Sequence, residues 1–249
     1  MLLFITLALY ALPGLVIGFT LHELAHAVAV VRFGDDTPRH DGRLTLDPLE
    51  HIDPVGFALL LAIGFGFAKP VRYNALRIRN RYQQAALAAA GPLTNLALAV
   101  FFGLTLRLIA ALHPGVTVPE VTDPFGTFDS NTSLGHGGAA YIACYVLYEA
   151  IYVNALLFIF NMIPIPPLDG FTVFRGLFAG VVPDLIAWME RNAQLLTFIG
   201  FALIFVLPRV TGGGGFSGAV SWLVDATAGN NPDYFFRRGF QPLIYALSG

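Results

Sequence analysis

The chain alternates long apolar runs with shorter polar segments. Runs long enough to cross a hydrocarbon core of about 30 Å extend over residues 2–31, 83–112 and 138–163. Shorter apolar candidates follow at 171–188 and 194–208. We therefore predict an all-α polytopic membrane protein with four to six transmembrane helices.

A further apolar stretch at 54–68 has a different character. It is 15 residues long, which is short for a membrane span, and it contains Pro54, Gly56, Gly64 and Gly66. We expect this stretch to be re-entrant or interfacial, so that it enters and leaves on one side of the bilayer.

Composition agrees with a single domain in a lipid bilayer. Of the 249 residues, 56% are hydrophobic and 12% are charged, whereas ordinary soluble domains have about 45–50% apolar and about 25% charged residues. We assign 1–210 to a membrane-embedded domain and 211–249 to a Gly-rich connection with a short amphipathic tail. The net charge of −2 leaves no basic face for nucleic acid.

Charged residues indicate how the chain is oriented. Eight of the fourteen basic residues lie between the first and second long runs: Arg32, Arg39, Arg43, Lys69, Arg72, Arg77, Arg79 and Arg81. The loop 113–137 contains three acidic residues and neither Lys nor Arg. Because positive loops stay on the cytoplasmic side, we expect a multi-pass protein of the plasma membrane whose first long connection is cytoplasmic.

The first apolar run contains the motif His22-Glu23-Leu24-Ala25-His26. Residues four apart lie on one face of a helix, so the two imidazoles can bind a single metal ion. The carboxylate of Glu23 then reaches a water molecule on the metal and can act as a general base. An ionisable group at membrane depth costs roughly 2.5–3.5 kcal/mol, which argues against an accidental motif.

A catalytic zinc site needs a third protein ligand, because such sites typically use three and keep the fourth position for water. Cys144 is the only cysteine, so a cysteine-built site is excluded. Asp169 follows the proline-rich segment 161–168 and is the favoured candidate. Glu149 is the alternative.

Three motifs together resemble the site-2 protease family: the HELAH sequence, Gly91-Pro92-Leu93-Thr94-Asn95, and Asn161 through Pro164 to Pro167-Leu168-Asp169-Gly170. The segments 51–56 and 67–74 further resemble the compact prokaryotic branch that lacks PDZ and CBS modules. The likeness covers residues 15–175.

The resemblance implies an intramembrane zinc endopeptidase that takes part in regulated intramembrane proteolysis. It implies that His22, His26 and Asp169 bind one Zn²⁺ per chain, with Glu23 as the catalytic acid and base. Asn161 would hydrogen-bond the substrate backbone or the oxyanion. The implied partner is a transmembrane protein substrate, cut toward the cytoplasmic side, and homo-oligomerisation stays open.

Other functions and roles remain open from the residues alone. A metal or ion transporter could use the same His and Asp cluster, although the chain shows no internal repeat. A non-catalytic relative that binds membrane proteins is a third interpretation. Asn95 and Asn154 are typical of helix packing, and His51 and Asp53 either anchor the 54–68 segment or serve the site.

Overall fold

The chain is helical throughout most of the part that the structure describes. The structure is a computed structural model that describes residues 2–63, 66, 68–112, 134–203 and 215–228. Its ten α-helices are α1 (Leu2–Arg32), α2 (Thr37–His40), α3 (Pro48–His51), α4 (Pro54–Ile63), α5 (Arg81–Leu112), α6 (Leu134–Asn161), α7 (Asp169–Phe178), α8 (Pro183–Arg191), α9 (Ala193–Phe201) and α10 (Gly215–Ala228). The all-α prediction is confirmed.

Three helices are long and apolar enough to cross a membrane. The candidate spans are Leu9–Arg32 in α1, Arg81–Ile109 in α5 and Ile142–Asn161 in α6, and they coincide with the three long apolar runs. The shorter run at 171–188 forms two helices of 10 and 9 residues, too short to span a bilayer. The described residues therefore contain three of the four to six expected spans.

The two ends of the 54–68 segment lie next to each other. Ile52 and Ala68 form an isolated antiparallel bridge, and the amide of Lys69 donates to the carbonyl of His51 at 2.9 Å. Between these ends lies the 10-residue α4. The two ends of the segment therefore lie together, and its re-entrant or interfacial placement stays a prediction.

The described residues divide into two compact units. The first draws on Met1–Leu15, Ala97–Leu156 and Ile204–Gly249. In this unit the backbone at Gly14 lies directly against Ala150, so a Cβ at position 14 would not fit. The side-chain amide of Asn154 donates to the carbonyl oxygens of Gly14 (3.2 Å) and Ala150 (2.8 Å). Small residues and one buried amide thus join α1 to α6, as membrane helices commonly pack.

The second unit draws on Val16–Leu96 and Leu157–Leu203. The last turns of α1 pack on the start of α5 through the buried Val30, Ile78 and Leu87. Gly176 of α7 lies against the backbone of α5, because a Cβ there would approach the carbonyl oxygen of Arg81 to 2.5 Å. These contacts hold α1, α5 and α7 close together.

Asp35 ties together two polar segments of the second unit. Its fully buried carboxylate accepts from the Thr37 hydroxyl at 2.7 Å and from the Asn74 amide at 2.5 Å, and Arg77 lies 3.6 Å away. Burial acts to raise the pKa of Asp35, but these donors outweigh it and lower the pKa below its ordinary value. The carboxylate thereby fixes the segment after α1 against the segment before α5.

The expected C-terminal tail is described only in part. Helix α10 has a buried side that includes Val220 and Val224, and Arg107 of α5 donates to the carbonyl of Ala226 at 2.9 Å. Residues 204–214 and 229–249 lie outside the described residues. The boundary between 1–210 and 211–249 stays a prediction.

Candidate metal centre and active site

Three ligand atoms from two helices meet in the second unit. The Nε2 atoms of His22 and His26 on α1 lie 3.1 Å apart. Each lies 3.2 Å from Oδ2 of Asp169 at the start of α7. Both histidines are buried and Asp169 is half-buried. Two residues one helical turn apart and one residue about 150 positions later in the sequence thus form a triangle of ligand atoms.

The other ring nitrogen of each histidine is held by an acceptor. Nδ1 of His22 lies 2.6 Å from Oδ1 of Asn95, whose own amide donates to the carbonyl of Gly18 at 3.2 Å. Nδ1 of His26 lies 2.8 Å from the carbonyl oxygen of Leu87. Because these oxygens accept, each Nδ1 carries the proton and each Nε2 keeps its lone pair. Both lone pairs are therefore available for a metal ion.

The geometry of the cluster fits zinc. Tetrahedral zinc with bonds of about 2.0–2.1 Å holds its ligand atoms about 3.3 Å apart, close to the observed 3.1 and 3.2 Å. Gly91 of α5 lies against this cluster, and a Cβ there would come within 2.6 Å of Nε2 of His22 and closer still to Nε2 of His26. Two imidazoles, one carboxylate and a neighbouring glycine without a side chain therefore suit one zinc ion.

Asp169 owes its position to a tight turn. It is the first residue of α7, and the next residue, Gly170, lies against the backbone of Met162 and Ile163, where a Cβ would not fit. The side chain of Asp169 is thereby placed with its Oδ2 facing the two Nε2 atoms.

Glu23 is not one of the three residues that supply ligand atoms to the cluster. Glu23 is 9% exposed and directly follows His22 in the sequence. A carboxylate beside a metal site, at the position after the first histidine, is suited to accept a proton from water.

The comparison with known proteins agrees with this geometry. The sequence pattern of peptidase family M50 matches residues 10–207, which include all the residues of the cluster. The chain belongs to peptidase family M50. The predicted resemblance to site-2 proteases is confirmed, and the chain is a zinc metalloprotease.

Relatives of this M50 peptidase include proteins from two bacteria. It is 36% identical to "Putative zinc metalloprotease YwhC" of Bacillus subtilis, over 80% of this chain and 81% of the relative. It is 27% identical to a similarly named protein, Rip2 of Mycobacterium tuberculosis, over 86% of this chain and 72% of the relative. No solved structure matches the chain significantly.

Two carboxylates were candidates for the third ligand. Asp169 lies with the histidines, and among the described residues no other group of three ligand side chains is found. Glu149 belongs to the first unit, on α6, where it is buried.

The asparagines make different contacts in the M50 fold. Asn161 ends α6, and its amide donates to the carbonyl of Leu157 at 3.0 Å, so its contact with substrate stays a prediction. Asn154 bonds only backbone carbonyls in the hydrogen bonds described above, as the packing interpretation expects. Asn95 joins α5 to α1 as a packing residue would, and it also orients His22.

His51 and Asp53 have separate roles. Oδ1 of Asp53 accepts from the amides of Val55 and Gly56, both at 2.9 Å, and so caps the start of α4. His51 is fully buried at the end of α3. No helical repeat in the sequence connects Asn95 with His22, because the two residues are 73 positions apart.

Proposed function

We propose that this M50 peptidase is an intramembrane endopeptidase that hydrolyses peptide bonds in or next to transmembrane segments. One observation carries the proposal: two ligand side chains of the cluster project from α1 within the candidate span Leu9–Arg32. His22 is ten residues from Arg32, which corresponds to about 15 Å along a helix. A site at this depth is suited to a substrate that is itself in the membrane.

The proposed ligands of the zinc are His22, His26 and Asp169. Bound zinc supplies a Lewis acid that activates a water molecule and polarises the scissile carbonyl. Glu23 accepts a proton from the attacking water as the new carbon–oxygen bond forms. It then donates that proton to the leaving nitrogen as the carbon–nitrogen bond breaks. Asn161 is proposed to hydrogen-bond the substrate backbone or the oxyanion.

The substrate must unwind before it can be cut. A peptide bond within a transmembrane helix is hydrogen-bonded inside that helix, so its carbonyl is not free for attack. We therefore expect Gly, Asn or Pro near the scissile bond to favour cleavage, and substitutions that strengthen the helix at that point to slow it.

The site is proposed to open toward the cytoplasmic side of the plasma membrane. The basic residues of the 32–81 connection support this orientation, and the pairing of Ile52 with Ala68 supports a position of both parts of that connection on one side. In α1, His26 is closer to this connection than His22 is.

The decisive experiment is cleavage in proteoliposomes. The purified protein is reconstituted with a single-span reporter substrate, and the products are mapped by mass spectrometry. We expect zinc-dependent cleavage within or beside the reporter's transmembrane segment. Glu23→Gln is the matched control, because it should keep the zinc and lose the cleavage.

A soluble, unstructured version of the same cleavage sequence separates intramembrane from ordinary proteolysis. Faster cutting of the soluble peptide than of the reporter would contradict the intramembrane proposal and leave the metalloprotease assignment intact. Cleavage by Glu23→Gln at the parent rate would contradict the role of Glu23.

A further inference from the structure

The guanidinium of Arg81 lies where a membrane span begins and has no carboxylate partner among the described residues. Arg81 is the first residue of α5 and of the candidate span Arg81–Ile109. It is exposed, and its Nη2 donates to the Tyr82 hydroxyl at 2.9 Å. In the described part of the chain it forms no ion pair with Asp or Glu. Most N–H donors of the guanidinium are therefore left for another acceptor.

Two glycines show where this charge lies. A Cβ at Gly176 would approach the carbonyl oxygen of Arg81 to 2.5 Å, and a Cβ at Gly180 would approach its Nη1 atom to 2.9 Å. The backbone of Arg81 thus lies against α7, and its charged end lies at the turn after α7. The guanidinium is therefore placed beside the segment that connects α7 to α8.

Large apolar side chains are exposed on both sides of Gly180. They belong to the end of α7, to the turn and to α8, and together they form the 177–188 face: Leu177, Phe178, Val181, Leu185 and Trp188. Val181, next to Gly180, is 75% exposed. Leu185 and Trp188 are three residues apart in α8 and so lie on one side of that helix. In a membrane protein, such exposed apolar residues and a tryptophan near the start of a span are typical of contact with lipid.

The charge of Arg81 is not balanced by its neighbours. Arg175 of α7 lies 3.2 Å from the carboxylate of Glu190, so its charge is compensated. Arg79, two residues before Arg81, forms no ion pair within the described ranges, and neither does the exposed Asp184 of α8. Two uncompensated arginines and one acid leave a positive region next to an apolar face. This combination matches a molecule with a negative group and a hydrocarbon part.

We propose that Arg81 and the 177–188 face bind one anionic phospholipid. The guanidinium donates to the phosphate oxygens, which suit its parallel N–H groups, and the acyl chains lie along the apolar side chains. A free phosphate would occupy only the guanidinium, and a zwitterionic headgroup would bring its own positive charge to an already positive region. The bound lipid holds the end of α7 against the start of α5.

Lipid binding to the detergent-purified protein tests this proposal. Dioleoylphosphatidylglycerol is the probe, and dioleoylphosphatidylcholine, which has the same acyl chains and a zwitterionic headgroup, is the comparison. Native mass spectrometry counts the lipids bound per chain across a titration. We expect the first phosphatidylglycerol to bind about 5–10-fold more tightly than phosphatidylcholine. Equal affinities would overturn the proposal.

Two pairs of variants test the two parts of the site. Arg81→Gln should weaken phosphatidylglycerol binding about 5–10-fold. Arg72→Gln removes the same charge from an arginine that is paired with Asp41 at 3.1 Å, and it should leave binding unchanged. Val181→Ser should weaken binding more than Leu195→Ser, at an exposed apolar position of α9 outside the 177–188 face. Equal losses within either pair would indicate general attraction to the protein surface and would overturn the site.

A water-soluble headgroup distinguishes a lipid site from a phosphate site. Glycerol 3-phosphate has the phosphate and no acyl chains, so it should not displace phosphatidylglycerol when both are present at equal concentration. Displacement under these conditions would show that the guanidinium alone binds an anion, and the assignment to a lipid would be wrong.

Thermal unfolding gives a second measurement. Phosphatidylglycerol should raise the unfolding temperature of the parent more than phosphatidylcholine does, because a ligand of the folded state stabilises it. This difference should disappear in Arg81→Gln, and its full retention there would contradict the proposal. Neither measurement uses zinc or cleavage, so both remain informative if the proposed endopeptidase activity fails its own test.

Discussion

At the scale of single residues, the site depends on where protons and lone pairs lie. The oxygens of Asn95 and Leu87 hold the Nδ1 protons of the two histidines and so turn both Nε2 atoms toward Asp169. The pattern His-Glu-x-x-His predicts that His22 and His26 can share one metal ion, because residues four apart lie on one face of a helix. It could not predict Asn95, which lies 73 positions from His22.

The first prediction separates ligand from base. Asp169→Ala should retain zinc more weakly than the parent, because it removes one of three ligand atoms. Glu23→Gln should retain about one zinc per chain, because Glu23 is not a ligand. Zinc stoichiometry in detergent-purified protein checks both. Full retention of zinc by Asp169→Ala would exclude Asp169 as the third ligand and turn attention to Glu149.

The second prediction concerns the partner of His22. Asn95→Leu should weaken zinc binding about 10–100-fold, because Nδ1 of His22 loses its acceptor and the ring loses its orientation. Asn95→Asp keeps an oxygen at that position and should bind zinc more tightly than Asn95→Leu. Competition with a chelator measures both affinities.

Thr94→Ala is the control for this pair, since the Thr94 hydroxyl bonds only the carbonyl of Ala90 in its own helix among the described contacts. If Asn95→Leu and Thr94→Ala bound zinc equally well, Asn95 would be a packing residue and nothing more.

At the scale of helices, function depends on close approach. Gly91 of α5 lies against the two histidines of α1. At the start of α7, Gly170 lets the helix backbone touch the backbone of Met162 directly after Asp169. The sequence predicted the long helices from their apolar runs. It could not predict which of the 26 glycines are needed, because that depends on the distance between helices.

The third prediction tests this close approach at Gly91. Gly91→Ala should lower zinc retention sharply, because its methyl group would clash with the two Nε2 atoms. Leu93→Ala, at an exposed position of the same helix, should leave zinc retention unchanged. Zinc bound per folded chain is the measurement. Normal zinc content in Gly91→Ala would mean that the two helices can move apart without loss of the site.

The fourth prediction concerns Asp35 and its pH dependence. Asp35→Asn should lower the free energy of unfolding at neutral pH by about 1–3 kcal/mol, because an amide cannot accept the donors of Thr37 and Asn74 equally well. Since the pKa of Asp35 is lowered in the folded state, its stabilisation is present above the unfolded pKa and is lost as pH falls through the folded pKa.

Thermal unfolding of parent and Asp35→Asn at neutral and acidic pH measures this dependence. The difference between the two proteins should shrink toward acidic pH. A difference that stayed constant would assign the effect to packing and not to the charge.

At the scale of the whole molecule, the paired ends of the 54–68 segment bear on the predicted topology. Leu46 and Leu76 are exposed, 68% and 71%, and lie on opposite sides of α4 in the sequence. The short length of the 54–68 segment and its glycines distinguish it from a membrane span in the sequence alone. The bridge between Ile52 and Ala68 adds that the two ends of the segment lie together.

The fifth prediction follows from that bridge. In a Cys144→Ser background, single cysteines at Leu46 and Leu76 should both react with a membrane-impermeant reagent added from the cytoplasmic side. A cysteine at Ser130, in the acidic 113–137 loop, should react from the other side. Labelling of the Leu46 and Leu76 positions from opposite sides would mean that the segment crosses the bilayer.

The glycine at position 91 has a consequence for how the enzyme is loaded. Because the α5 backbone at Gly91 lies against the two Nε2 atoms, we expect an incoming ion and an incoming peptide to reach these atoms from the same remaining side. An enzyme engaged with substrate or with a peptide inhibitor should then release its metal slowly, because the exit is occupied. Removal of the metal by a chelator should be slowest at saturating substrate. A shortage of zinc should therefore affect newly made protein, which has no substrate bound, before it affects enzyme that is engaged with substrate.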